Sequence, residues 1–134
     1  MSSTDDGKAK AQEYAELAIR MCKDLCKIDL DYTLDSLETV DRVIEAFRGL
    51  RGVSEQKVMT GVVYIGCYIG EVIVRQANGK WKDDVDGNGL PTGLVVGKVS
   101  LDPIVKALKR FKLGDEHAIR HYVMCAVALA GAVE

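Results

Sequence analysis

"VVYIGCYIGEVIV", Val62–Val74, is the stretch whose reading decides the fold. Its β-branched and aromatic residues suit a central strand with apolar side chains on both faces. Length argues the other way. From Ser54, a good N-cap followed by Glu55, no breaker appears before Asn78-Gly79. That run of roughly 22 residues is far longer than an ordinary strand. The spacing predicts one long helix, buried nearly all round, with Gly66 and Gly70 letting a neighbour come close.

Glu71 is the one carboxylate in this run. A buried, isolated carboxylate is costly, so Glu71 must pair, take a proton or reach solvent. Arg75 follows at i+4, in the favourable acid-before-base order. Tyr64 and Tyr68 fall on the same helical face, so Tyr64, Tyr68, Glu71 and Arg75 form one polar seam, with Trp81 placed to cover it. As structure, the seam locks the helix against a strand pair. As function, it is a pocket with aromatic walls, one acid and one base, able to bind a ligand or a partner. The structural reading is preferred.

Outward from this segment, residues 1–7 read as a disordered tail and 8–134 as a single domain. A first helix runs from about Lys8 to Ile28 on an apolar stripe of Ala11, Tyr14, Ala15, Ala18, Met21, Cys22 and Leu25. A second opens at Asp35, with Glu38 completing a capping box, buries Leu37, Val40, Ile44 and Phe47, and stops between Gly49 and Gly52. After Asn78 the chain becomes rich in glycine, and "KWKDDV" and "GLVVGKVSL" read as short strands. Asp102 and Pro103 start a fourth helix that turns Ile104, Val105, Leu108 and Phe111 inward and its four cations outward. Asp115 opens the last helix. The fold class is α+β: about five helices, with an antiparallel strand pair or three-stranded sheet between helices three and four.

The chain has 134 residues, 48% of them hydrophobic, with a formal charge of −2. It is long enough for one self-sufficient core. The acidic balance argues against general binding to nucleic acid or anionic membranes. The longest apolar run, 13 residues, falls short of the roughly 20 needed to span a bilayer. The N-terminus is polar and acidic where a signal peptide needs a basic start, so a cytoplasmic protein with reduced thiols is expected.

Sharper motifs meet ordinary explanations. "DVDGNG", Asp84–Gly89, begins like a calcium loop, but position 12 is Val95 where a bidentate glutamate is required, so a solvated loop is expected. His117 and His121 have metal-sharing spacing without a third ligand. Cys22, Cys26, Cys67 and Cys125 read as packing residues. No catalytic constellation, metal site or cofactor is expected.

Taken together, "LDYTLDSLETVDRVIEAFR", "GCYIGEVIVRQANGKW" and "DPIVKALKRFKLG" resemble a family of small uncharacterised bacterial proteins. The shared pattern is an S-L-x-x-[LV]-D helix, G-x-Y-x-G-E-V, a G-x-W turn and a D-P helix start. The matching positions are Leu37, Asp41, Gly66, Tyr68, Gly70, Glu71, Gly79, Trp81, Asp102, Pro103 and Lys109. The resemblance favours the helical reading and implies no activity. The functional expectation is a non-catalytic binding protein with a protein partner, in an immunity-like or adaptor role. The alternative is a small-ligand module or an enzyme using Tyr68, Glu71, Arg75 and Trp81. The final helix is apolar in nearly every direction from Val123 to Ala130, which predicts a twofold homodimer.

Overall fold

In chain order, α1 spans Asp6–Cys26, α2 Ser36–Arg48, α3 Glu55–Ala77, β1 Lys80–Trp81, β2 Leu94–Val96, β3 Val99–Leu101, α4 Pro103–Leu113 and α5 Ile119–Val133. The computed structural model describes residues 6–114 and 118–133. The fold is mixed α+β and mostly helical. Its three-stranded antiparallel sheet, ordered β1-β2-β3, lies between α3 and α4.

The long apolar segment is helical throughout. Ser54 accepts the Lys57 amide at its start, and Asn78 closes its end in the left-handed conformation. α1, α4 and α5 pack against it, which is why its apolar residues point in every direction. It is the one described helix long and apolar enough to cross a membrane, and 67% of that apolar window is buried within the fold. Gly66 sits where α4 arrives: a Cβ there would lie 2.7 Å from the Ile104 Cα. At Gly70 the Trp81 ring fills the space a side chain would need. Both glycines therefore serve the close approach their spacing implied.

α1 meets α3 through Ala11, Ala15, Ala18 and Cys22, all fully or almost fully buried. It starts at Asp6, inside the segment expected to be a tail, because Gly7 is buried and donates its amide to the Asp83 carbonyl. It stops at Cys26, where Lys27 takes a positive φ of 58°. Leu25 leaves the expected buried stripe and is 72% exposed, since the helix end overhangs the core.

Three other expectations need correction. Asp35 makes no side-chain cap; Thr33 Oγ1 accepts the Ser36 amide instead, and Glu38 reaches across to Arg120 at 2.8 Å. "GLVVGKVSL" supplies two strands of the expected three-stranded sheet, because Gly97 at φ 60° turns the chain between Val96 and Val99. "KWKDDV" is strand only at Lys80–Trp81, with an isolated bridge from Val85 to Pro91. α4 does not turn all its cations outward: Arg110 is buried and Val105 exposed. The guanidinium faces α2, where Asp41 Oδ1 and Glu45 Oε1 each lie 3.0 Å from it. Asp102 does cap α4, through the Val105 amide.

α5 buries Ile119, Val123 and Ala126 and leaves Met124, Cys125 and Leu129 exposed. Asp41 holds its first turn, accepting the amides of Ile119 at 2.9 Å and Arg120 at 3.3 Å. The expected opener Asp115, and His117, four residues before His121, lie outside the described residues.

Candidate functional site

The five residues of the expected seam do not form one site. α3 places Tyr64, Tyr68, Glu71 and Arg75 on one face, but the elements opposite that face change along its length. At the Glu71 level the neighbour is β1. Trp81 Nε1 donates to Glu71 Oε2 at 2.8 Å, and Arg75 donates to Oε1 at 3.2 Å. With its side chain 4% exposed and both oxygens occupied, Glu71 is paired and not free for acid–base work.

From Arg75 the contacts continue into the α1–α2 connection. The guanidinium lies 3.6 Å from the centre of the Tyr32 ring, and Tyr32 stacks on Tyr68 at 5.0 Å. The Tyr68 hydroxyl accepts the Tyr32 amide at 2.9 Å and donates to Ser36 Oγ at 2.7 Å, which donates in turn to the Thr33 carbonyl. The Tyr32 hydroxyl donates to Glu16, and burial with that carboxylate pushes its pKa up to about 12. These bonds hold Tyr32 at φ 63°, a left-handed conformation unusual for tyrosine. One connected chain thus runs from Trp81 through Glu71, Arg75, Tyr32 and Tyr68 to Ser36. It ties the sheet, the long helix and the start of α2 together.

Sequence reasoning missed Tyr32, Ser36 and Glu16 in this network, since each joins through a contact between distant segments. The stretch S-L-E-T-V-D contains two such residues, Ser36 and Asp41. Both lock distant elements, as do Gly66, Gly70, Glu71 and Trp81.

Glu71→Gln is expected to destabilise the fold by about 1–3 kcal/mol, because the new amide nitrogen turns a donor toward Trp81 or Arg75. Urea denaturation measures this. An unchanged midpoint would refute the paired role of Glu71.

Tyr64 belongs elsewhere. It meets Tyr14 of α1 edge-to-face at 4.9 Å and lines a cleft of about 460 Å³ with Gln56, Thr60 and Asn88. In the "DVDGNG" loop, Asp86 Oδ1 accepts the amides of Asn88 at 2.8 Å and Leu90 at 3.1 Å, so this carboxylate closes its own turn. No group of three metal-binding side chains occurs among the described residues.

The cysteines divide. Burial pushes Cys22 up to about 11 and Cys67 up to about 12, so both are thiols at neutral pH. Cys26 and Cys125 are exposed, against the expectation of packing. Cys125 Sγ lies 3.7 Å from His121 Nε2 on an open helix face. No third group orients that imidazole among the described residues, as a nucleophilic pair would require.

One apolar depression was not anticipated. It opens where α1 and α2 end and α3 begins, with a volume of about 500 Å³. Met21 and Leu25 form one wall, Phe47, Leu50 and Val53 the other, and Val58 and Gly61 of α3 the floor. Lys57 is the charged residue that lines it. At its rim Leu25 is 72%, Leu50 47% and Val53 45% exposed. The exposed leucine at the end of the first helix was the available signal, hidden because the periodicity counted it as core. The chain matches no protein-family model, no curated protein and no solved structure.

Proposed function

We propose that this protein is a non-catalytic binding protein that holds a protein partner in the apolar groove at the α1–α2 end. The observation that carries the reading is the groove's rim, where Leu25, Leu50 and Val53 stand exposed together. Apolar patches of this kind on small domains mark interaction surfaces. The paired state of Glu71 supports the same reading, since an enzyme built on it would need a carboxylate open to substrate. An immunity-like or adaptor role fits a protein whose polar residues lock the fold. Four free thiols support a cytoplasmic setting.

A second reading rests on a separate cleft. Tyr14, Tyr64, Gln56, Thr60 and Asn88 offer two aromatic faces and several amide and hydroxyl groups to a small polar ligand.

The groove is tested with the environment-sensitive dye anilinonaphthalene sulfonate. The native protein should enhance its fluorescence, and the double variant Leu25→Lys, Leu50→Lys should lose most of that enhancement while keeping its melting temperature. A native protein that leaves the dye dark has no accessible apolar groove, and the reading fails.

A further inference from the structure

We infer that the occupant of this groove is an amphipathic helix of a partner protein, carrying an acidic side chain on the flank that meets Lys57. The inference rests on the binding-protein reading above and adds the chemistry of the partner.

Shape gives the first argument. The groove is bounded by two helix ends and by the loop that leads into α3. Its rim leucines project into solvent instead of folding over the floor. An acyl chain lying on the floor would leave the outer side of Leu25 wet. A helix seated between the walls covers floor and rim together, through side chains at i, i+3 or i+4, and i+7. Met21 suits such a site, being unbranched and able to repack around different anchors.

Charge gives the second. Lys57 occupies the third position of α3, counted from the Ser54 cap. The positive end of the helix dipole disfavours a cation there, and a glutamate would complete a capping box. Among the described residues no carboxylate lies within ion-pair distance of Lys57 or of Arg51, which stands in the loop between Leu50 and Val53. A lysine that works against its own helix, unpaired beside an apolar groove, has an explanation if its counter-charge comes from outside.

The test is selection from a phage-displayed library of helical peptides against the whole protein. Enriched peptides should share an apolar face at i, i+3 or i+4, and i+7, flanked by Asp or Glu. Affinity of the best peptide should fall about tenfold in both Leu25→Asp and Lys57→Glu. Both substitutions lie on exposed side chains, so both variants should fold: Lys57→Glu creates the capping box, and Leu25→Asp, an acid in the last turn of α1, should lower the melting temperature only slightly. A peptide with its acid changed to lysine should regain affinity for Lys57→Glu. Three outcomes overturn the proposal: enrichment without that register, equal affinity for the wild type and Lys57→Glu, or light scattering that shows a dimer broken by Leu25→Asp. If peptides fail while the dye still binds, the partner chemistry is wrong and the binding groove stands.

Discussion

Arg110→Ala should destabilise the protein by about 3 kcal/mol, the cost of stripping one partner from a buried charge pair. Arg110 is 4% exposed and donates to Asp41 Oδ1, to the Asp41 carbonyl and to Glu45 Oε1. Glu45 faces water and also pairs with Arg48, so it loses little. The main cost falls at Asp41. Its carboxylate is mostly covered and would keep only the two α5 amides. Because Asp41 joins α2, α4 and α5, the damage should spread to the α5 start. Arg110→Lys should recover only part of the loss, since an ammonium cannot reproduce the guanidinium fork. Urea denaturation reads both variants; a loss below about 1 kcal/mol for Arg110→Ala would mean that the pair is dispensable.

Gly66→Val should cost about as much or prevent folding, by a different route. The Cβ alone would press on the Ile104 Cα and come within 3.2 Å of the Pro103 carbonyl oxygen. Both atoms are backbone, so no side-chain rotation relieves the contact. α4 would have to retreat from α3 and take its Asp102 cap with it. Overpacking of this kind typically costs about 1–3 kcal/mol, and more where the neighbour cannot yield. Gly66→Ala should lose less, because alanine gains up to about 1 kcal/mol of helix propensity. Gly131→Ala isolates that gain, since nothing lies within 4 Å of a Cβ at that position. If Gly66→Val melts with the wild type, the helices do not cross at Gly66.

Where local chemistry sets the structure, the sequence was readable. Ser54 and Asn78 mark the ends of α3, and Asp102-Pro103 marks the start of α4, through bonds to amides a few residues away. The core of α2 followed from a 3.6-residue period. What escaped depends on distant partners. Arg110 looks like one more surface cation until α2 brings two carboxylates to it. Asp35 has the right residue type for a cap, but Thr33 reaches the amide first. Leu25 fits the apolar stripe, yet nothing in that period reveals that the helix outruns its neighbours. The seam was half legible: Glu71 and Arg75 pair at i+4, whereas Tyr32 enters through a bend whose positive φ no pattern announces.

Trp81 is the chain's single tryptophan, and it stands at the junction of β1 with α3. Its indole fills the notch at Gly70 and donates to a carboxylate sealed from water. Nature has therefore placed one intrinsic fluorophore at the seam between the sheet and the helices. Its emission reports when the sheet undocks, whereas circular dichroism reports when the helices melt. If the two signals change together on heating or in urea, sheet and helices fold as one cooperative unit. If emission shifts first, the sheet is a separately opening flap on a persistent helical frame.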